Sequence, residues 1–168
     1  MKTFSKIFVC ALAAALLGGC GEEELKTMVS FHLGTAAGGM PTTAVREIIE
    51  MPQSGFRLMC NTDIFMYNGD LERVDVAQVS TPDGAKINGF YFKSKVDGAR
   101  KLLAVTAANL NNFIVVKING KPIGLRKIDT VIPDGMLFVI ADTKDDLHKT
   151  AAEINDAIAV AEKIKEGL

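Results

Sequence analysis

The sequence predicts an α+β domain: a two-layer sandwich in which a mostly antiparallel sheet carries two amphipathic helices on one face. Three observations lead there. Short β-prone runs recur through the chain, parted by Gly, Pro and Asn turn signals. Two longer stretches repeat apolar residues at spacings of three and four. The second half reads strand–strand–helix–strand–strand–strand–helix, an order that lays helices against one sheet.

In chain order, Val29 to Leu33 alternates apolar and polar residues, as a half-buried strand does, with His32 on the polar side. Gly34 to Pro41 is rich in Gly and Ala and reads as a flexible loop. Its Gly38-Gly39 pair lacks the Lys-Ser/Thr that a phosphate cradle requires. Val45 to Met51 and Phe56 to Asn61 are strands around a Pro52–Gly55 turn. Phe65 to Tyr67 is a short third strand, closed by Asn68-Gly69. Asp70 caps a brief helical turn before the alternating run Val74 to Val79. Thr81-Pro82-Asp83-Gly84 then turns the chain into Ile87 to Phe92, completing a hairpin.

Ser94 and Asp97 form a capping box for the first helix. Its predicted buried face is Val96, Ala99, Leu102, Leu103, Thr106 and Leu110, and Asn111-Asn112 ends it. Phe113 to Ile118 is strongly β-prone. Asn119-Gly120 suits a two-residue hairpin turn, which needs positive φ at both positions, and Ile123 to Ile128 returns. After Pro133-Asp134-Gly135, Met136 to Ile140 is apolar enough for a central strand. Thr143 caps the last helix. Asp145 and Asp146 sit at its start, where the helix dipole favours anions, and Leu147, Ala151, Ile154, Ile158 and Ala161 form its stripe.

The N-terminus differs in kind. Lys2 and Lys6 precede an uncharged apolar run from Ile7 to Leu17. That run is short of the roughly twenty residues of a spanning helix and has the length of a signal-peptide core. It ends in Leu17-Gly18-Gly19-Cys20, the pattern of the bacterial lipobox, followed by Glu22-Glu23-Glu24. Small residues let the extended chain enter a peptidase site, and the Cys thiol takes a diacylglyceryl group. The expectation is therefore a cleaved leader over residues 1–19, a lipidated tether over 20–27 and one domain over 28–168. The alternatives are an ordinary signal peptide with an incidental Cys, or an uncleaved anchor. Palmitate-length acyl chains on Cys20 would hold the domain at a membrane, each buried methylene contributing about 0.8 kcal/mol. Gly21 stands where an Asp would favour inner-membrane retention, so the outer membrane is favoured, with the domain facing the periplasm or exterior.

Composition limits the functions. The formal charge is −1, and losing Lys2 and Lys6 with the leader makes the mature part about −3 (−1 less two lysines). Nucleic-acid binding needs a clustered basic surface, and no dense Lys/Arg run supplies one. Of three cysteines, Cys10 lies in the leader and Cys20 at its end, so Cys60 has no disulfide partner in the domain and reads as a buried small hydrophobe. His32 and His148 stand far apart, without Cys/His spacing for zinc. Asp129 and Asp134 flank a loop and could hold a cation, although turn formation explains them. No Gly-x-Ser-x-Gly or His-Glu-x-x-His occurs. The expectation is a protein that is not an enzyme and carries no cofactor or metal.

Residues from about Phe56 to Ile158 resemble the head subdomain of the first periplasmic domain of SecD and SecDF, membrane proteins that assist preprotein export. The resemblance rests on Asn68-Gly69-Asp70-Leu71 before the strand at Val74, and on Phe92 through Gly98-Ala99-Arg100-Lys101-Leu102. It continues through Thr106 to Asn109, Phe113 to Val116, Asn119-Gly120-Lys121-Pro122-Ile123, and Ile128 to Ile132 with Gly135. These are turn and packing residues, which specify fold better than activity. The chain has no candidate spanning helix after Cys20, so the family's gradient-coupled motor role is not implied. What is implied is the head: a module that contacts a polypeptide or an envelope partner. The competing expectation is a small-ligand-binding or structural lipoprotein that reuses the fold.

Overall fold

The computed structural model describes residues 26–36 and 45–166. The expected leader, the Leu17-Gly18-Gly19-Cys20 motif and most of the expected tether lie outside the described residues. The strands are β1 (Val29–Ala36), β2 (Arg46–Glu50), β3 (Arg57–Tyr67), β4 (Leu71–Ser80), β5 (Lys86–Ser94), β6 (Phe113–Ile118), β7 (Lys121–Lys127) and β8 (Met136–Ala141). Helix α1 (Val96–Ala108) follows β5, and α2 (Leu147–Glu166) follows β8. All eight strands form one sheet, in the order β2-β3-β1-β6-β7-β8-β5-β4, and every neighbouring pair is antiparallel.

Alternation along the strands sorts side chains to two faces. Val29 and Phe31 on β1, Ile114 and Val116 on β6, Leu137 and Val139 on β8, and Phe90 and Phe92 on β5 all enter one core. Leu102 of α1 and Ala151, Ile154 and Ile158 of α2 join the same core, so both helices cover this face. Phe31 sits at its centre, edge-on to Phe92 at 5.1 Å and to Phe65 at 6.3 Å between ring centroids.

Several local expectations hold in detail. Asn119 and Gly120 take φ of 49° and 81° in the β6–β7 hairpin. The strand predicted from Phe113 to Ile118 has those bounds. The third and second short strands prove to be one, β3. It stays in the sheet by bulging: from His32 to Gly34 on β1, its partners run from Ile64 to Cys60.

Three caps differ from expectation. Ser94 ends β5 as a buried residue, and Lys95 precedes α1 with no side-chain cap. The backbone turn itself is held instead, since Lys95 N–H donates to the Asp70 carbonyl at 2.8 Å. Asp70 closes the 3-10 turn over Asn68–Asp70 rather than opening it, and its carboxylate accepts the Tyr67 N–H at 3.1 Å. Asp146, not Thr143, caps α2: its Oδ1 accepts the Lys149 N–H at 2.8 Å. On α1, Leu102 and Thr106 are buried as predicted, whereas Val96 and Leu103 face solvent; the helix ends at Ala108, ahead of the predicted Asn111-Asn112 stop, and leaves Leu110 exposed beyond it. The covered face is narrower because Gly98 presses α1 onto the 3-10 turn. A Cβ at Gly98 would lie 2.4 Å from the Asp70 carbonyl oxygen. Gly98→Ala should therefore destabilise the protein by about 1–3 kcal/mol, even though Ala favours helix, as a urea melt would record.

Candidate functional site

The second face of the sheet divides into a covered half and an open half. Over the covered half, the β2–β3 hairpin folds back across β6 and β7. Met51 is buried there against Leu58, Cys60 and Val115, and Phe56 stacks at 5.5 Å from Phe113. The hairpin tip is fastened to the end of β8. Asp142, itself buried, accepts the Gln53 N–H at 2.6 Å, the Ser54 N–H at 3.2 Å and the Ser54 hydroxyl. The Gln53 carboxamide also donates to the Thr143 carbonyl.

On the same face lies a buried polar cluster. Lys117 is 3% exposed and pairs with Glu47 on β2. His32, opposite Val115, bonds through Nδ1 to the Asn61 carbonyl at 3.0 Å and through Nε2 to the Ser30 hydroxyl at 2.9 Å. The place of His32 on the polar side of the alternation predicts a surface or edge histidine, and this is corrected: it is buried on an interior strand. Ser30 and Asn61 supply the polar partners that allow an imidazole to be buried. Cys60 is buried, as read from its neighbours, and its thiol is pushed up by burial.

Burial, and then the Lys117 ammonium, hold the His32 pKa below the ordinary 6.5. The unfolded imidazole then takes up its proton at a higher pH than the folded one. Stability from this site is present above the unfolded value and is lost as pH falls through the folded one. A His32→Gln variant should show a smaller loss of Tm than the parent between about pH 7.5 and about pH 5.5. Equal losses in the two proteins would contradict this.

The open half spans β8, β5 and β4. Val79, Ile87, Tyr91, Met136, Phe138 and Ile140 share this face by register. No helix lies over them: Val79, Met136 and Ile140 are each about 40% exposed. Gly89 lies beneath the Phe138 ring, where a Cβ would meet it at 2.6 Å. Apolar side chains grouped on an exposed sheet face mark a contact surface more often than a solvated one.

A groove of about 930 Å³ runs between the start of α1 and the end of α2. Its walls mix Tyr67, Val96 and Ile164 with Lys95, Arg100 and Lys165. At its base Lys101 Nζ is 2.8 Å from Asp70 Oδ1 and 5.4 Å from the Tyr67 ring centroid. Nearby the chain enters the domain through a firm clamp. Asn68 accepts the Val29 N–H at 2.8 Å and donates to the Thr27 carbonyl at 2.9 Å, while Asn119 accepts the Met28 N–H at 2.8 Å.

The candidate cation ligands stay apart in function. Asp129 pairs with Arg126 at 2.7 Å, and this hydrogen bond holds its carboxyl below the usual range. Asp134 accepts the Met136 N–H at 3.0 Å. His148 is exposed on α2. Among the described residues no group of three or more His, Cys, Asp or Glu is placed to hold a metal, and no helix is long and apolar enough to cross a membrane. Cys20, Leu17, Gly18 and Gly19 fall outside the described residues. Sequence reasoning missed Lys117, Asp142 and Asn155. Only Lys117 gave a signal, as a lone charge inside an apolar strand.

No protein-family model and no curated protein sequence matches the chain. Solved structures resemble it, two of SecDF among them. One is of a membrane component SecDF that enhances protein export: 16% identity, TM-score 0.51, with 95% of this chain and 71% of that one covered. The other is SecDF in a super-membrane-facing form: 16% identity, TM-score 0.50, covering 80% of this chain and 19% of that one. The chain therefore has the fold of a SecDF domain, in agreement with the resemblance drawn from its turn residues.

Proposed function

We propose that this chain is a non-catalytic lipoprotein, held to a bacterial membrane by acyl chains on Cys20, whose extracytoplasmic domain binds polypeptide and assists protein export or envelope assembly. The observation that carries the reading is the open apolar half of the sheet. Two interior strands, β8 and β5, leave Met136 and Ile140 exposed and Phe138 and Tyr91 half-exposed, while the β2–β3 hairpin covers the same face over β6 and β7. Such a surface suits a chain that is still unfolded and exposes its own apolar residues. The fold shared with SecDF supports the same direction, because that protein enhances export. Gly21 favours the outer membrane, and no nucleic acid is expected as a partner.

The test uses the native chain in phospholipid nanodiscs and a reduced, carboxymethylated, permanently unfolded polypeptide. A Met136→Asp/Ile140→Asp variant, altered only at exposed positions, should bind about ten-fold more weakly than the parent. Equal binding by the two would overturn the reading. The anchor is tested apart from this: membrane extraction with carbonate should release Cys20→Ala protein lacking acyl chains and should leave the parent bound.

The groove between α1 and α2 favours a second reading, a small-ligand-binding lipoprotein. It predicts a rise in Tm with an amphipathic anion that is abolished by Lys101→Ala, with the polypeptide affinity unchanged.

A further inference from the structure

We infer that the outer edge of β4, from Val76 to Ser80, takes an extended polypeptide as a ninth strand; this rests on the polypeptide-binding reading and names where and how the chain is held. The sheet ends at β2 and β4. The β2 edge is short, and three of its five residues are charged, which discourages pairing. The β4 edge differs along its length. At Val74 it is already occupied: Asn155 of α2 accepts the Val74 N–H at 2.9 Å and donates to the Val74 carbonyl at 2.9 Å. One carboxamide thus makes the pair of hydrogen bonds that a neighbouring strand would make.

Those bonds fix which residues of β4 turn their backbone outward. In an antiparallel strand the outward direction recurs every second residue. With Val74 facing away from β5, Val76, Gln78 and Ser80 face away as well, each with an N–H and a C=O. Among the described residues no hydrogen-bond partner meets these groups, and Gln78 and Ser80 are exposed, while Val76 turns its side chain to the core. Only one charge, Asp75, lies between Val74 and Ser80, and Arg73 holds it at 3.0 Å. Beside this edge the open face continues without a break: Ala77 and Val79 of β4 neighbour Gly89 and Ile87 of β5. An added strand would therefore gain main-chain hydrogen bonds from the edge and place alternate side chains next to the apolar face. The fitting ligand is an extended segment with apolar or β-branched residues at every second position, selected by pattern rather than by sequence.

The test is Gln78→Pro. It removes one outward N–H that has no partner within the chain, so an edge strand tolerates it. Gln78→Ala is the control, because it keeps the N–H and loses only the side chain. With the unfolded carboxymethylated polypeptide and the native chain in nanodiscs, Gln78→Pro should bind about ten-fold more weakly and Gln78→Ala like the parent. On the unaltered protein, hydrogen exchange at Val76, Gln78 and Ser80 should slow when the polypeptide is added, which guards against misfolding of the Pro variant. Parent-like binding by Gln78→Pro, with no protection at these amides, overturns the edge while the polypeptide reading stands. A parent that binds no polypeptide overturns both. A parent that sediments as a dimer, split into monomers by Gln78→Pro, assigns the edge to a second copy and overturns the proposal.

Discussion

Phe31→Ala should lower the stability of the domain by about 3–5 kcal/mol, a large part of what a domain of this size has. Phe31 has no exposed surface and lies on β1, between β3 and β6, in the core that the helices cover. Its ring meets Phe92 and Phe65 edge-on, and Met66 and Val116 stand opposite it on the two flanking strands. Removing it loses apolar burial and opens a cavity that the bulged β3 and the straight β6 cannot both close. The measurement is the urea midpoint of the parent and the variant at equal m-value. A loss below about 1.5 kcal/mol would mean that the core collapses around the gap, as cores with mobile walls do.

Asp142→Ala should cost about 2–4 kcal/mol, and its loss should be local before it is global. Asp142 is the only described side chain that accepts from the β2–β3 turn through both carboxylate oxygens, meeting donors from Gln53 and Ser54. Hydrogen bonds to a charged acceptor are stronger than neutral ones, and here the acceptor is buried beneath the turn, although the exposed Gln53 and Ser54 donors would regain water partners. Without this fastening the hairpin loses the end that holds Met51 over Leu58, Cys60 and Val115. Hydrogen exchange should quicken from Arg46 to Cys60 first, while β5 and β8 keep their protection. Uniform exchange across the sheet would show that the fastening is part of the global unit rather than a local latch.

Much of this architecture was legible from residue pattern. The Asn119-Gly120 turn, the β4–β5 hairpin and the α2 stripe are set by local chemistry: positive φ, turn residues, and period. What was not legible is tertiary. Val96 and Leu103 match a helical stripe but face solvent, because the burial of α1 is decided by Gly98 against Asp70, a contact remote in sequence. His32 alternates onto the face that looks polar, yet that face is covered, and nothing in its neighbourhood reveals the cover. Asn155 interrupts an apolar stripe as any surface residue might. Its role at the sheet edge exists only once α2 lies beside Val74. For the site, the turn residues pointed to a SecDF-like fold, and the open half of the sheet came from topology alone.

The most direct measurement places a photo-cross-linking amino acid at Ile140 in living cells, with His148 as a control position on α2. A surface that holds chains in transit should give adducts at 140 with many different exported polypeptides, all recovered with the membranes, and few at 148. One dominant small-molecule adduct, or equal labelling from the two positions, would contradict a domain that receives unfolded chains on its uncovered strands.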